Sequence, residues 1–472
     1  METKKDTQLI EQHPSSYRDP AGFVFRYRGE IYRQVNRSYG SAFNRLMSSG
    51  LYKKLTTARK LVSHEEAFLP DLPEDAERLV ILKPEQLQSI TYPVEWSFTA
   101  LQDAALLHLD IMLFSIGHGM ILKDATPSNV QFEYGSPLVI DTLSFDLYDE
   151  QRPWVAYRQF CEMFLYPLLL EHYGKLFIHQ YFAAAKEGIS ARQTAALLPA
   201  RSRFQLGCWF HVFLPARMNT TNTGKTASPS FSKQKMQQLI THLAAFVRSL
   251  KPGMMTTANW NAYYSASILG DGYLQNKTGA FETLLRHQVF GDIATKTVLD
   301  IGANNGHFSR LMAKRALHVT AIDNDAPSID HLYKEIRKSK VSLSPLVVDI
   351  TDPTPATGFA NHAYDSFLNR IKPDIITALA VIHHLAITRY LSLNTIADFL
   401  SKHCRVLIIE FVPRDDPKVR ELLRHREDIF HQYTREDFET TFSRFFTLLG
   451  RENVAGTHRT LYLYQCHNGL PG

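Results

Sequence analysis

Cysteine is scarce in this sequence of 472 residues, and the few cysteines present are isolated from one another. They are Cys161, Cys208, Cys404 and Cys466. Because none belongs to a C-x-x-C pair, neither a disulfide framework nor a zinc site is indicated. The first twelve residues, METKKDTQLIEQ, lack the apolar segment of a secretory signal. These absences predict a cytoplasmic protein.

Long hydrophobic runs are also missing. The longest apolar stretch, Ala104–Gly117, contains His108 and Asp110 and is shorter than the ~18 residues of a membrane span. We therefore expect no membrane span. Charge of one sign is equally sparse, since 52 Lys and Arg residues against 47 Asp and Glu residues leave a net charge of +5. So small a surplus is weak evidence for a nucleic-acid partner.

The sequence divides into two halves of different character. A length about three times that of a ~150-residue domain predicts two or three domains. The segment Met218–Lys235 is polar, rich in Ser and Thr, and without hydrophobic periodicity, which is typical of a linker. Upstream of it, alternation on both sides of Arg28-Gly29 predicts a hairpin over Gly22–Val35, and helical periodicity covers Phe98–Gly117.

The second half alternates regularly between β-rich runs and helical runs. The predicted strands are Thr297–Gly302, Val319–Asp323, Pro345–Ile350, Asp374–Val381 and Val406–Val412, followed by a β pair at Phe446–Val454 and Arg459–Cys466. The predicted helices are His307–Leu317, Ser328–Lys340, Leu391–His403 and Lys418–Phe430. This alternation predicts an α/β fold with a mainly parallel sheet covered on both faces.

A glycine turn follows the first of these strands. Asp300, Gly302 and Gly306 form a D-x-G-x-x-x-G pattern between a strand and a helix. Gly302 permits a sharp turn, and the helix beginning near His307 offers free N–H groups to a ligand. A tight βα turn without a ligand would explain the same pattern.

Two further acids end the next two strands. Asp323 lies about 20 residues after the glycine turn, where an acid can accept hydrogen bonds from ribose hydroxyls. Asp349 ends the third strand, where it could meet an adenine amino group. Helix capping would explain any one of these acids alone. Three acids at three successive strand ends favour a nucleoside-containing cofactor.

With these residues the second half resembles a class I S-adenosylmethionine-dependent methyltransferase. Asp300-Ile301-Gly302-Ala303-Asn304-Asn305-Gly306 matches the first motif of that family, with Asn304 where many members carry glycine. The resemblance implies S-adenosyl-L-methionine as cofactor, a Rossmann-like seven-stranded sheet, and cofactor contacts from Asp323, Asp349 and Ile350. It says nothing about the methyl acceptor.

The acceptor side is predicted from the fourth and fifth strands. His383 and His384 follow the fourth strand, at the edge where open α/β sheets bind ligands, and histidine is suited to proton transfer near neutral pH. Glu410 lies near the carboxyl end of the fifth strand, where it could orient a histidine or hold a polar acceptor; a salt bridge to Arg414 or another neighbour is the alternative. The Asn/Asp-Pro-Pro-Tyr/Phe motif of base-directed nucleic-acid methyltransferases is absent, and with the modest net charge this argues against DNA as acceptor. We predict transfer to a hydroxyl of a small molecule or glycan.

An aromatic segment precedes the glycine turn. Segments at this place in similar enzymes often close over the cofactor, and the residues concerned here are Trp260, Tyr263, Tyr264, Tyr273 and Lys277. Ordinary packing is the alternative interpretation.

The first half resembles a degenerate kinase-like domain. Asp124 and Asn129 have the D-x-x-x-x-N spacing of a kinase catalytic loop, and Asp141 follows on the next predicted strand. The resemblance implies a possible Mg–ATP site at these three residues. However, Leu122-Lys123-Asp124 and Asp141-Thr142-Leu143 depart from the kinase motifs, and neither a glycine-rich phosphate loop nor the usual lysine is visible near Phe23–Val35. An Asx-turn would explain the same spacing without a ligand.

The whole chain also resembles a bacterial two-part family that includes a nodulation host-specificity protein. The shared segments are KDATPSNVQF, IDTLSF, HHLAI and IIEFVP. We therefore predict a kinase-like domain at residues 1–215, a linker and capping segment at 216–290, and a methyltransferase domain at 291–472. A bifunctional kinase-methyltransferase and a cofactor-binding regulator without transfer activity are the alternatives.

Overall fold

A computed structural model describes residues 10–16, 19–218, 232–253, 272–424 and 429–467. Contacts divide the chain into two compact units. Unit 1 comprises residues 1–255 and the short segment 356–365, and unit 2 comprises residues 256–355 and 366–472. Trp260, Tyr263 and Tyr264 of the predicted capping segment lie outside the described residues.

Unit 1 contains a five-stranded sheet and two small strand pairs. Its strands are β1 (Ile10–Gln12), β2 (Gly22–Tyr27), β3 (Glu30–Asn36), β4 (His64–Glu66), β5 (Arg78–Pro84), β6 (Met120–Leu122), β7 (Val130–Glu133), β8 (Ser136–Val139) and β9 (Phe145–Leu147). The five-stranded sheet has the order β1-β2-β3-β5-β4, while β6 pairs with β9 and β7 with β8.

The hairpin predicted at Gly22–Val35 is confirmed. Strands β2 and β3 pair in antiparallel register, with Tyr27 opposite Glu30. The two turn residues have positive φ, +50° at Arg28 and +85° at Gly29. Positive φ at both central residues defines the type I′ turn, whose twist matches that of the flanking strands.

The longest helix that the structure describes in unit 1 is α3 (Phe98–Gly117), and most of its residues are buried. The α-helices are α1 (Gly40–Ser48), α2 (Leu51–Thr57), α3 (Phe98–Gly117), α4 (Tyr157–Phe160), α5 (Tyr166–His172), α6 (Ile178–Ala184), α7 (Ala191–Leu197), α8 (Leu206–Cys208), α9 (Leu214–Arg217) and α10 (Lys233–Ser249). Helix α3 has the predicted bounds, and the Ser97 side chain caps it by accepting the Ala100 N–H.

By length and composition alone, helix α3 could also cross a membrane. The prediction that the chain has no membrane span was based on the shorter apolar run Ala104–Gly117 and did not consider the whole helix. In its most apolar window 61% of the helix is buried, as in the core helix of a folded domain.

Helix α10 belongs to unit 1 rather than to a separate linker. The Gln102 amide nitrogen of α3 donates hydrogen bonds to the carbonyls of Val247 and Leu250, at 2.8 and 2.9 Å. The predicted boundary at residue 215 therefore differs from the contact boundary near residue 255. The polar segment that suggested the earlier boundary is followed by a helix that packs back onto α3.

Unit 2 is an α/β unit built on a seven-stranded sheet. Its strands are β10 (Thr297–Ile301), β11 (His318–Asp323), β12 (Leu343–Val347), β13 (Ile375–Ala378), β14 (Val406–Phe411), β15 (Phe446–Asn453) and β16 (Thr460–Cys466). The sheet order is β12-β11-β10-β13-β14-β16-β15. Strands β10 to β14 pair in parallel, whereas β16 runs antiparallel to both β14 and β15.

The helices of unit 2 alternate with these strands as the sequence predicts. They are α11 (Tyr273–Leu284), α12 (His307–Ala313), α13 (Ala326–Ser339), α14 (Phe367–Arg370), α15 (Leu393–Ser401), α16 (Pro417–Leu423) and α17 (Arg435–Phe442), with a π-helix at His384–Thr388. Every residue of β14 is buried, as expected of a strand covered on both faces.

The sheet order creates a crevice at the carboxyl ends of β10 and β13. The chain proceeds from β10 outward to β11 and β12, then returns to β13 on the other side of β10. Open α/β sheets bind ligands outside the strand ends where the order reverses in this way. The glycine turn follows β10 and the histidine pair follows β13, so both lie near the carboxyl ends of these strands.

Candidate active site

The glycine turn has the backbone that its sequence predicts. Gly302, Asn304 and Gly306 all have positive φ, at +72°, +49° and +73°. A Cβ atom on Gly302 would lie 2.4 Å from Val381 Cγ2, and one on Gly306 would lie 2.3 Å from Leu332 Cδ1. Glycine at both positions is therefore required by conformation and by space.

Asp323 holds this turn in place. Its carboxylate accepts the backbone N–H of Asn304 and that of Asp325, each at 2.9 Å. Burial raises the pKa of Asp323, although these hydrogen bonds act to lower it. The acid at the end of β11 is therefore fixed beside the loop after β10.

A cavity of about 220 Å³ opens at this point in unit 2. Five residues predicted to contact the cofactor line it, namely Gly302, Asn304, Asp323, Asp349 and Ile350. Other lining residues that the sequence did not single out are Asn324, Thr351, Leu379, Ala380, Val381, Leu385, Thr388 and Arg389. The predicted cofactor residues are thus largely brought together.

Asp300 and Gly306 are not among the lining residues. The Asp300 carboxylate accepts hydrogen bonds from Ser309 Oγ at 2.5 Å and Thr377 Oγ1 at 2.7 Å. Burial raises the pKa of Asp300 to about 6. Asp300 therefore connects β10 to α12 and β13 through hydrogen bonds, and stabilises the strand ends next to the cavity without lining it.

Asp349 lies on the far wall of the cavity with its oxygens engaged. Thr351 donates to one carboxylate oxygen through its N–H at 2.9 Å and its hydroxyl at 2.6 Å, while Arg389 forms an ion pair with the other. Arg389 directly follows the π-helix His384–Thr388, so the ion pair links that helix to the loop after β12.

The two predicted histidines occupy different environments. His384 lines the cavity, whereas His383 is fully buried and does not. Their rings are 4.2 Å apart between centroids. Burial, followed by the charges of His384, Arg459, Lys277 and Lys418, lowers the pKa of His383 well below 6.5. Both ring nitrogens of His383 lack a hydrogen-bond partner.

Glu410 belongs to a buried ionic network. Its carboxylate lies 2.6 Å from Lys277 Nζ and accepts a hydrogen bond from the Tyr273 hydroxyl at 3.2 Å. Arg459 Nη1 lies 3.6 Å from Glu410 and donates to the Tyr273 hydroxyl at 2.7 Å. Arg459 also forms a bidentate pair with Asp416, at 2.7 and 3.0 Å. These contacts correspond to the ion-pair alternative for Glu410 rather than to contact with a histidine.

Sequence reasoning did not single out Arg459 or Asp416. Lys277 was predicted only as part of the segment that closes over the cofactor, but its position on the buried face that Tyr273, Phe281 and Leu284 share was a signal for an ion pair. A lysine at a core position indicates a buried partner.

In unit 1, Asp124, Asn129 and Asp141 are brought together. Asn129 Nδ2 donates to Asp124 at 3.0 Å and lies 3.5 Å from Asp141. The sequence analysis missed Arg33 of β3, which forms an ion pair with Asp141. Strand β3 contains no lysine, and for this reason Arg33 was not recognised as the cation of a kinase-like site.

Comparison with known proteins finds a family model, a relative of nearly the same length and several solved structures. A family model described as "Methyltransferase domain" matches residues 275–448. The nodulation protein NoeA of Rhizobium meliloti (strain 1021) is 30% identical over 478 aligned positions, which span 98% of each chain. Solved structures also match at lower identity, and two of them are described here. The N-methyltransferase NodS of Bradyrhizobium japonicum WM9 is 16% identical, covering 41% of this chain and 98% of NodS, with a TM-score of 0.30. Magnesium protoporphyrin IX methyltransferase of Synechocystis PCC 6803 is 13% identical, covering 45% and 89%, with a TM-score of 0.32. Both TM-scores are low, so the class rests on the family model and the NoeA relative.

The second half of the chain is a class I S-adenosylmethionine-dependent methyltransferase domain, as the glycine turn and the strand-end acids predicted. The chain belongs, over nearly its whole length, to the family of the nodulation protein NoeA.

The cavity fits this cofactor by its construction. Gly302 adopts the positive φ that the turn requires, and Asp323 presents a partly buried carboxylate beside the turn. The apolar side chains of Ile322, Val348 and Leu379 provide surfaces of the kind that a purine ring requires.

Proposed function

We propose that unit 2 methylates a hydroxyl group of a small molecule or glycan, with His384 as the proton acceptor. The observation that carries this proposal is that His384 lines the same cavity as Gly302 and Asp323, at the carboxyl edge of the sheet. S-adenosylmethionine, when bound, supplies an already activated methyl group. What the protein adds is orientation of the acceptor and removal of its proton.

The cofactor residues are assigned by their places in the cavity. Asp323 would hold the ribose hydroxyls and Asp349 the adenine side, while Gly302 and Asn304 provide the close backbone approach. Asp300 and Gly306 would act through the loop that they hold.

His383 is proposed as the residue that supports His384. Since burial and nearby cations lower its pKa well below 6.5, His383 stays neutral at physiological pH. A neutral imidazole 4.2 Å away leaves His384 without a second positive charge beside it when it takes up a proton.

The acceptor is sought with radiolabelled S-adenosylmethionine and extracts of the source organism. With the acceptor identified, turnover is compared among the intact chain, His384→Asn, His383→Asn and the surface control His331→Asn. We expect His384→Asn to lower turnover roughly 10²- to 10⁴-fold, the usual contribution of a general base, with cofactor affinity nearly unchanged.

Full turnover in His384→Asn would show that it is not the base. If His383→Asn alone abolished turnover, the roles proposed for the two histidines would be reversed. If both variants kept full turnover, both histidines would be structural.

For unit 1 we propose a kinase-like fold that does not transfer phosphoryl groups. Support comes from three features in chain order: the third strand carries a cation at Arg33, the segment after β6 carries Asp124 and Asn129, and Asp141 follows β8. This is the order of parts in protein kinases. Labelled ATP with extract as acceptor tests this proposal, and transfer of the γ-phosphate would establish the bifunctional alternative instead.

A further inference from the structure

The carboxylate of Asp141 is surrounded by donors from the protein itself. One oxygen accepts from Arg33 and from the Leu143 N–H at 3.2 Å. The other accepts from Ser144 Oγ at 2.5 Å and faces Asn129 Nδ2 at 3.5 Å. Since a carboxylate has about four acceptor positions, no oxygen of Asp141 is left without a protein donor.

Arg33 supplies the positive charge of this cluster. The side chains of Arg33 and Asp141 are only 18% and 15% exposed, so solvent screens their attraction weakly. Burial works against ionisation of Asp141, but Arg33 together with the hydrogen bonds lowers the pKa of its carboxyl.

Asp124 stands beside this pair with an oxygen that has no partner. Its Oδ1 is buried and without a hydrogen bond, while Oδ2 accepts from Asn129. Burial, and then the charge of Asp141, raises the pKa of Asp124. Without Arg33 the two acids would form an uncompensated negative pair.

A magnesium ion does not fit this arrangement while Arg33 is paired with Asp141. Mg²⁺ requires near-octahedral oxygen ligands at 2.0–2.1 Å, yet Asn129 directs its amide nitrogen at Asp124 and at Ser144 Oγ, at 3.0 and 3.1 Å. The kinase resemblance implies a metal at Asn129 and Asp141, and the contacts made by these two residues disagree with that implication.

We propose that Arg33 is a tethered cation that replaces the divalent metal ion of the kinase-like site, so that unit 1 contains a latent metal site exposed only when Arg33 is removed. The proposal concerns unit 1 alone and is independent of methyl transfer by unit 2. It also explains why the motif retains Asp124, Asn129 and Asp141 without the residues that bind phosphates: the three side chains hold Arg33 and the segment after β6.

The probe is Mn²⁺, titrated into the full-length chain with and without ATP and followed by the electron paramagnetic resonance signal of the free ion. The intact chain is expected to take up no Mn²⁺ that depends on Asp141. Arg33→Ala is expected to take up one Mn²⁺ per chain, and Arg33→Ala/Asp141→Asn is expected to lose that uptake. Arg28→Ala is the matched control, because it frees Asp71 from an exposed pair at 3.0 Å on the same hairpin and should gain no uptake.

Two results would overturn the proposal. One is Mn²⁺ uptake by the intact chain that disappears in Asp141→Asn, and the other is a folded Arg33→Ala variant that takes up no Mn²⁺. Should Arg33→Ala fail to fold, the melting temperature of the intact chain and of Asp141→Asn is measured with and without Mn²⁺. An unchanged melting temperature in both supports the tethered cation, and a Mn²⁺-dependent rise confined to the intact chain refutes it.

Discussion

Gly302 is the residue at which the backbone and the cavity constrain the sequence most tightly. Its φ of +72° disfavours any side chain, and a Cβ would lie 2.4 Å from Val381. The left-handed conformation costs a non-glycine residue roughly 1–2 kcal/mol. Gly302→Ala should therefore lower the melting temperature and weaken S-adenosylmethionine binding, as measured by thermal unfolding and calorimetry.

Gly279→Ala is the matched control for this substitution. Gly279 lies within helix α11, and nothing stands within 4 Å of the position its Cβ would take. Alanine is favoured over glycine in a helix by about 0.5–1 kcal/mol, so this variant should melt no lower than the intact chain. A Gly302→Ala variant with unaltered stability and affinity would contradict the assignment of the turn.

At the scale of elements, helix α11 is fastened to the sheet by the ion pair of Lys277 with Glu410. Both side chains have no exposed surface, and the charged atoms lie 2.6 Å apart. Removing one partner of a buried pair typically costs about 3–5 kcal/mol, whereas replacing both by apolar groups is often neutral. Lys277→Met should therefore destabilise the protein strongly, and Lys277→Met/Glu410→Leu should recover part of the loss.

Chemical denaturation of the single and double variants measures this coupling. Lys338→Met serves as the control, because its pair with Glu335 lies at the surface and is 72% exposed at the lysine. If the double variant were less stable than the Lys277→Met variant by the full cost of a second mutation, the two side chains would be acting independently.

The elements of unit 2 were the part of the fold most readily predicted from the sequence. β10 and β14 begin at the predicted residues and end one residue early. They were predictable because buried parallel strands are nearly continuous apolar runs, interrupted here by Asp300 and Glu410. Strand β12 begins at Leu343 rather than Pro345 and ends at Val347, so Asp349 lies in the following loop. Helix α16 ends at Leu423, before the predicted Phe430.

The contacts between distant side chains were not predictable in the same way. His383 and His384 are adjacent in sequence, yet one is buried and the other lines the cavity, a difference set by the π-helical turn that begins at His384. Arg33 meets Asp141 across 108 residues of chain, and nothing local to either residue indicates the pairing.

At the scale of the whole molecule, buried neutral histidines make stability depend on pH. Burial lowers the pKa of His108 in unit 1 and of His318 in unit 2 to about 4. Below pH ~6.5 the unfolded chain binds protons at these residues that the folded chain does not, so the free energy of unfolding falls as pH falls. Between pH 7 and pH 5 each histidine should lower it by roughly 2 kcal/mol, at ~1.4 kcal/mol per pH unit.

Asp300 acts in the opposite direction, because its folded pKa of about 6 lies above the unfolded value and its folded form gains stability as pH falls through 6. His318→Gln should flatten the decline in melting temperature between pH 7 and pH 5, while the exposed His331→Gln should not. Equal declines in His318→Gln and the intact chain would show that His318 is not a source of the acid sensitivity.

Cofactor binding in unit 2 is tested most directly by calorimetric titration of S-adenosylmethionine into the intact chain and Asp323→Ala, with Asp398→Ala as control. Asp398 is an exposed acid that pairs with Lys402 on α15, outside the residues that line the cavity. Loss of hydrogen bonds to a charged acceptor costs about 1.5–3 kcal/mol, so Asp323→Ala should bind the cofactor roughly 10- to 150-fold more weakly. Asp398→Ala should bind it as the intact chain does. Unchanged affinity in a folded Asp323→Ala variant would place the cofactor elsewhere and contradict the site described above.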